Sequence, residues 1–460
     1  MNSFKDKIAK YVNSIFFPIT IALLALATWI CKSNVAWVFL IIYMLLCFTP
    51  LFCSDGRGYL PLLFYTLIIV NNDIHFLGGI PSRLIISIIF ITVSSLIFLI
   101  VKKPKMITGV IFYLLLALFI VFLVSYFNHT LNETYADRTG ILYLLTFFII
   151  LIIYILNNSM LGRNESMQYY ATTITFFALM VSAEVIIELI RTSGIDLTSE
   201  NFSLGWSYTK DTASTFLTLS LPFFSLLINQ KKIFYFLSEV FVLLALFLLS
   251  TDTGLIALLF FSIPLLILAV KNYGKASPYI ICFSLLLLGT TFALLMSLNS
   301  TFNQRLTQAL SCLNFLSEDN ININKGYIDT FLTSPIIGTS INTFINKNGT
   351  LSLAENTYIS TLIMGGSISI AIYAVFDIYT YVTILRKKSY DRPFIFIFMI
   401  MIELMGLTSN TIYNIAILIF TLITLSVYQQ SNREEEIIIH QDFYIHFDKD
   451  VVNVKNINSK

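Results

Sequence analysis

The chain has 460 residues, of which 57% are hydrophobic, 15% aromatic and only 12% charged, and its formal net charge is +2. Soluble domains carry about 25% charged residues, so this composition excludes a water-exposed globular surface of that size. No basic tract interleaves with aromatics, which excludes a nucleic-acid face.

Apolar runs near or above the ~18 residues that cross a bilayer as a helix recur along the chain. In order they predict helices at 15–31, 35–53, 59–70, 84–101, 106–127, 141–156, 169–190, 213–229, 233–250, 254–270, 278–298, 356–385, 393–408 and 411–428. The third is short enough to be re-entrant, which gives about 12–14 spans. The runs are apolar on all sides, so a barrel of alternating strands is excluded. The expected fold is an all-α polytopic integral membrane protein. Its opening stretch, "MNSFKDKIAKYVNSIFFPITIALLALATWI", has basic flanking and an apolar core without an A-x-A-like exit, and reads as a first span left in place. Cys31, Cys47, Cys53 and Cys282 fall in apolar spans and Cys312 stands alone in a loop. They read as small apolar fillers and not as a disulfide framework.

Basic residues accumulate in cytoplasmic loops, and their placement orients the helices. Short turns on one side hold Lys5, Lys7, Lys10, Arg57, Lys102, Lys103, Lys105, Lys231, Lys232, Arg386, Lys387 and Lys388, whereas basic residues on the other side are spread over longer loops. Both termini are therefore expected in the cytoplasm, with the chain multi-pass in the cytoplasmic (cell) membrane. The chain divides into N-terminal membrane helices at 1–200, a second membrane region at 201–430 and a cytoplasmic tail at 431–460. The second region includes one large extracytoplasmic loop, 299–355. In it, "FNQRLTQALSCLNFLS" places Leu306, Leu310 and Leu313 at helical spacing, as in an amphipathic helix on the outer leaflet. A second short helix should stop near Ser334, because Pro335 follows, with a turn at Gly338. His440 and His446 of the tail lack the further ligands a metal site needs.

Four stretches in this second region carry a resemblance. "SPIIGTSINTF" resembles the P-x-x-G-x-G-x-x-x-F element of the O-antigen polymerase and ligase family, with Pro335, Gly338 and Phe344 in place. "ENTYISTLIMGGSISI" resembles the H-N-x-x-L-x-x-x-x-x-G-x-x-G element that follows it. "LLSTDTGLIALLFF" and "GWSYTKDTASTFLTLSLPFF" are similar to an earlier span of that family and to the outer loop and span before it. The order and spacing of the four agree from Gly205 to Ala371. Three positions depart: Ser340 replaces a glycine, Thr251–Asp252–Thr253 lacks an arginine, and Glu355 stands where ligases have histidine. Such variation points to a polymerase of a capsule, exopolysaccharide or O-antigen system.

The resemblance implies a glycosyltransferase acting at the outer face of the membrane. It would move a growing polysaccharide from undecaprenyl pyrophosphate onto the next lipid-linked repeat unit, without metal, cofactor or nucleotide sugar. A flippase and a chain-length regulator of the same pathway are the protein partners it implies. The sequence agrees in having no GxGxxG, Walker loop or outer DxD pair.

Such a reaction needs cations around the departing pyrophosphate, and arginine suits this with its forked, permanently charged donors. Arg305 is the first candidate, set against a snorkelling charge on an interfacial helix. Lys325, which precedes Gly326 and Tyr327, matches a basic position of the family, and Arg191 and Lys210 flank another outer loop. A base must also take the acceptor hydroxyl's proton. Glu355 is the candidate, set against a carboxylate stabilised by a helix N-terminus that Asn356 caps. Asn356 is a candidate substrate contact as well. Gly365 and Gly366 suggest close helix approach. Glu184, Glu188 and Glu403 lie inside spans, where an ionisable group is a functional candidate by default. Glu239 and Asp377 lie where a side chain snorkels toward the cytoplasm. Competing readings are a lipid-linked oligosaccharide flippase or transporter, opposed by the lack of a two-fold repeat, and a ligase of the same family.

Overall fold

The computed structural model describes residues 2–31, 35–69, 82–104, 107–132, 138–161, 166–191, 210–227, 232–249, 251, 289–290, 328, 330–339, 356–387, 389–408, 414 and 416–430. The helices run in the order α1 (Asn2–Val12), α2 (Phe16–Ile30), α3 (Val35–Cys47), α4 (Tyr59–Ile69), α5 (Ser82–Lys102), α6 (Val110–Asn132), α7 (Arg138–Met160), α8 (Ser166–Arg191), α9 (Lys210–Leu227), α10 (Lys232–Leu249), α11 (Thr357–Arg386) and α12 (Arg392–Thr408). A further helix, α13, covers Ala416–Gln430. A 3₁₀ turn at Thr49–Phe52, opened by Pro50, ends the α3 segment.

The protein is mostly α-helical and membrane-like, and twelve of the predicted spans coincide with helices. The predicted spans at 254–270 and 278–298 lie outside the described residues. Among the described residues, four helical stretches are long and apolar enough to cross a membrane: Val110–Asn128, Tyr143–Met160, Met167–Glu188 and Thr357–Arg386. The pair Phe4–Val12 and Phe16–Ile30 also qualifies together, bent by 70°. Helix α1 was not among the predicted spans. Its lysines, Lys5, Lys7 and Lys10, and its exposed Phe4 suit a helix lying along an interface.

One aromatic core joins five helices. Phe64 of α4, Tyr170 and Phe177 of α8, Phe216 and Phe223 of α9, Phe398 of α12 and Phe420 of α13 are all buried. Phe398 and Phe420 lie 5.3 Å apart edge to face, and Phe64 meets Phe420 at 5.6 Å. Apolar association gains little inside a bilayer, so interlocking ring shapes must hold these helices together. Four threonine hydroxyls buried on these helices are satisfied locally. Thr173, Thr218, Thr421 and Thr424 each donate to a carbonyl one turn back. Tyr170 also pairs with Thr424 at 2.7 Å. The outward faces of α5, α6, α7 and α11 expose Ile100, Phe127, Leu145, Val375 and Ile378, as lipid contact requires.

Candidate functional site

Of the residues picked from sequence, Arg305, Lys325 and Glu355 lie outside the described residues. Arg191 ends α8 and Lys210 begins α9. Asn356 is fully described and is the N-cap of α11. Its Oδ1 accepts from the backbone N–H groups of Tyr358 at 2.8 Å and Ile359 at 3.1 Å, which fills two of the donors a helix start leaves open. Its Nδ2 donates to the Leu407 carbonyl at 3.0 Å, near the end of α12. Asn356 thus ties two helix ends together with both halves of its amide.

Helix α11 is not one straight rod. Its 30 residues would extend about 45 Å, longer than a hydrocarbon core of ~30 Å. Tyr358 and Tyr373 would stand about 22 Å apart along a straight helix, yet their ring centroids are 5.9 Å apart. Ser369 Oγ likewise donates to the Thr361 carbonyl, eight residues back, at 2.6 Å. The chain turns sharply at Gly365 and Gly366, where φ and ψ leave the helical region, and Gly366 sits at φ +65° and ψ −161°. Only glycine adopts that conformation without strain. The expected single span at 356–385 is therefore two helical pieces, 357–364 and 367–386.

A break inside a helix opens backbone donors and acceptors that lipid cannot satisfy. The segment 334–339 fills them. Ser367 N–H donates to the Pro335 carbonyl at 2.9 Å, and Ile368 N–H to the Ile336 carbonyl at 3.5 Å. Thr339 N–H donates to the Ile363 carbonyl at 2.8 Å, the far side of the break. The segment is shaped for this, since Gly338 has φ +85° and its N–H donates to the Ser334 carbonyl at 2.9 Å. A Cβ on Gly338 would lie 2.6 Å from the Gly365 and Gly366 nitrogens, and one on Gly366 would overlap the Ile336 carbonyl. Gly366 thus serves a close approach to loop backbone, while a Cβ on Gly365 would lie 3.0 Å from Val121 Cγ1 of α6, the close helix approach the sequence suggests. The helix stop before Ser334 and the turn at Gly338 also appear as the sequence predicts.

Beside the break lies a polar cluster that the sequence did not assemble. Tyr358 Oη donates to Glu403 Oε2 of α12, and Tyr373 Oη donates to the same oxygen at 3.4 Å. Asp377 lies within electrostatic reach of Glu403. Nothing local could have found Tyr358 and Tyr373, because only the turn at Gly365–Gly366 brings them to one place. Elsewhere, Thr251 donates to Ser214 at 2.6 Å and Asn414 Nδ2 to Thr212 at 3.2 Å, which ties the starts of α9 and α13 and the end of α10. Glu184 and Glu188 of α8 are buried, 1% and 8% exposed, which keeps them as interior carboxyls. Among the described residues no group of His, Cys, Asp and Glu could hold a metal ion. No family model matches the chain, and no curated protein matches it.

Proposed function

We propose that the chain is a polymerase that joins undecaprenyl-pyrophosphate-linked oligosaccharide repeat units at the outer face of the cytoplasmic membrane, as its resemblance to the O-antigen polymerase and ligase family implies. The observation that carries this reading is the interlock of 334–339 with 363–368. These belong to two of the four stretches that carry the resemblance, and they fold onto each other backbone to backbone. A loop built this firmly onto a helix break offers a rigid floor for a site at the membrane surface. In this reading the acceptor hydroxyl gives its proton to Glu355 as its oxygen bonds to the anomeric carbon. The glycosidic bond to pyrophosphate breaks at the same carbon, and Arg305, with Lys325, Arg191 and Lys210, takes up the charge that the leaving group gains.

A broken helix is also a feature of secondary transporters, whose binding sites use discontinuous helices. That observation favours the flippase reading as the second one. Lipid-linked intermediates in a deletion strain separate the two. Loss of a polymerase leaves single repeat units on lipid at the outer face, whereas loss of a flippase leaves them at the inner face. Accumulation at the inner face overturns the polymerase reading.

A further inference from the structure

Helix α1 is fastened across one end of the bundle. Tyr11 Oη donates to Thr20 Oγ1 of α2 at 2.7 Å, and the Tyr11 ring meets Phe17 edge to face at 5.6 Å. The Val12 carbonyl accepts from Tyr169 Oη of α8 at 2.8 Å. Val12 itself is fully buried and lies so close to Gly58 that a Cβ there would overlap its Cγ1. With these ties and the 70° bend between them, α1 lies crosswise to α2.

The level at which α1 lies follows from its neighbours. The 3₁₀ turn at Thr49–Phe52 packs against both α1 and α5. Near its end α5 exposes Ile100 and Val101, and the next two residues are Lys102 and Lys103, both exposed. A lipid-facing apolar surface that gives way to lysines marks the headgroup region. On α1, Phe4, Ile8 and Tyr11 share one face, and Lys5 and Lys7 flank it. Ile8 and Tyr11 pack partly against the bundle, whereas Phe4 is 67% exposed and carries the apolar face beyond the protein. Phe52 of the turn is exposed as well.

The charge of this surface has one sign. Lys5, Lys7, Lys10, Lys102 and Lys103 are all exposed, and Asp6 is the acid among them. Asp55, after the turn, is held by Arg57 at 3.2 Å.

We infer that α1 and the end of α5 form one binding surface for anionic phospholipid headgroups. The five ammonium groups meet the lipid phosphates, while Phe4 and Phe52 enter the boundary between headgroups and acyl chains. Zwitterionic headgroups carry no net charge to complement the lysines, so the surface selects anionic lipid. The inference stands without the polymerase reading, and it holds for whichever leaflet this end of the bundle meets.

The test uses the full-length protein with its three native tryptophans replaced by phenylalanine and one reporter, Phe4→Trp, added. It is placed in phosphatidylcholine nanodiscs that contain an equal fraction of either brominated phosphatidylglycerol or brominated phosphatidylcholine, with bromine near the headgroup end of the acyl chains. Brominated phosphatidylglycerol should quench the reporter about fivefold more strongly, the factor that one lysine supplies near an anionic surface. A reporter at Ile120, exposed on α6 away from these lysines, should be quenched equally by both lipids. Changing the five lysines to glutamine should abolish the preference at Phe4→Trp, and changing them to arginine should keep it. Added salt should narrow it. Equal quenching of Phe4→Trp in the parent, a preference kept by the glutamine variant, or one lost in the arginine variant overturns the inference. Absence of quenching by either lipid shows that α1 docks on protein instead, and overturns it too.

Discussion

In the aromatic core, Phe64, Phe216, Phe398 and Phe420 meet through ring faces and edges. At the interlock, residues 334–339 and 363–368 meet through main-chain N–H and carbonyl groups, with glycines where a side chain would intrude. The aromatic core is buried and the interlock is partly exposed, with Ile336 and Ile368 on the surface, and the two depend on opposite properties of the sequence. Ring packing tolerates exchange among apolar residues of similar volume. Backbone contact tolerates almost any side chain that points away and none at the point of contact. The first region is defined by what its residues carry, and the second by what Gly338 and Gly366 lack.

The contrast can be broken by substitution, and the largest expected effect is on chemistry and not on stability. Glu355→Gln keeps shape and polarity but cannot take a proton, and loss of a general base costs about 10²–10⁴-fold. Polymer formed per molecule should fall by that factor while the protein level in the membrane stays unchanged. Full activity per molecule would leave Glu355 as a helix-end carboxylate only.

Gly366→Ala should have the largest effect on stability. It forces a strained backbone, at about 1–3 kcal/mol. It also drives the Ile336 carbonyl away from the Ile368 N–H, a backbone pairing that lipid cannot replace. The purified variant should lose its monodisperse peak on size exclusion well below the parent's unfolding temperature. Phe420→Leu removes several carbons from the aromatic core, yet as an apolar swap it should cost only about 1.5 kcal/mol. If Phe420→Leu proved the more damaging, the contrast between the regions would fail. Asn356→Ala sharpens it from the other side, since a lost cap costs about 1 kcal/mol. The variant should lower protein level in the membrane more than polymer per molecule, measured by immunoblot beside polymer yield.

The parts legible in the sequence were those written in local pattern. Long apolar runs marked the helices, and Asn356 marked a helix start, which the structure has it cap. The stop before Pro335 was legible for the same reason. The break in α11 was not, because Gly365 and Gly366 sit within 30 residues whose hydropathy suits a single crossing. Paired glycines in such a run fit close helix approach as well as a turn. The Glu403 cluster was hidden by distance along the chain: Tyr358, Tyr373, Asp377 and Glu403 lie on three helical pieces, and helical spacing connects only Tyr373 with Asp377. Arg305, Lys325 and Glu355 remain sequence expectations, since they lie outside the described residues.

The interlock also has a consequence for biosynthesis. Residues 334–339 leave the ribosome before residues 363–368, because chains are made from the N-terminus. The carbonyls of Pro335 and Ile336 must therefore be in place, on the side where the loop resides, when Ser367 and Ile368 arrive with N–H groups that lipid cannot pair. Without them, the 30-residue apolar stretch has every reason to enter the bilayer as one continuous helix, tilted to fit. With them, it finds a waiting set of acceptors and turns. The earlier segment is thus available as a template for the later one when that later one is made.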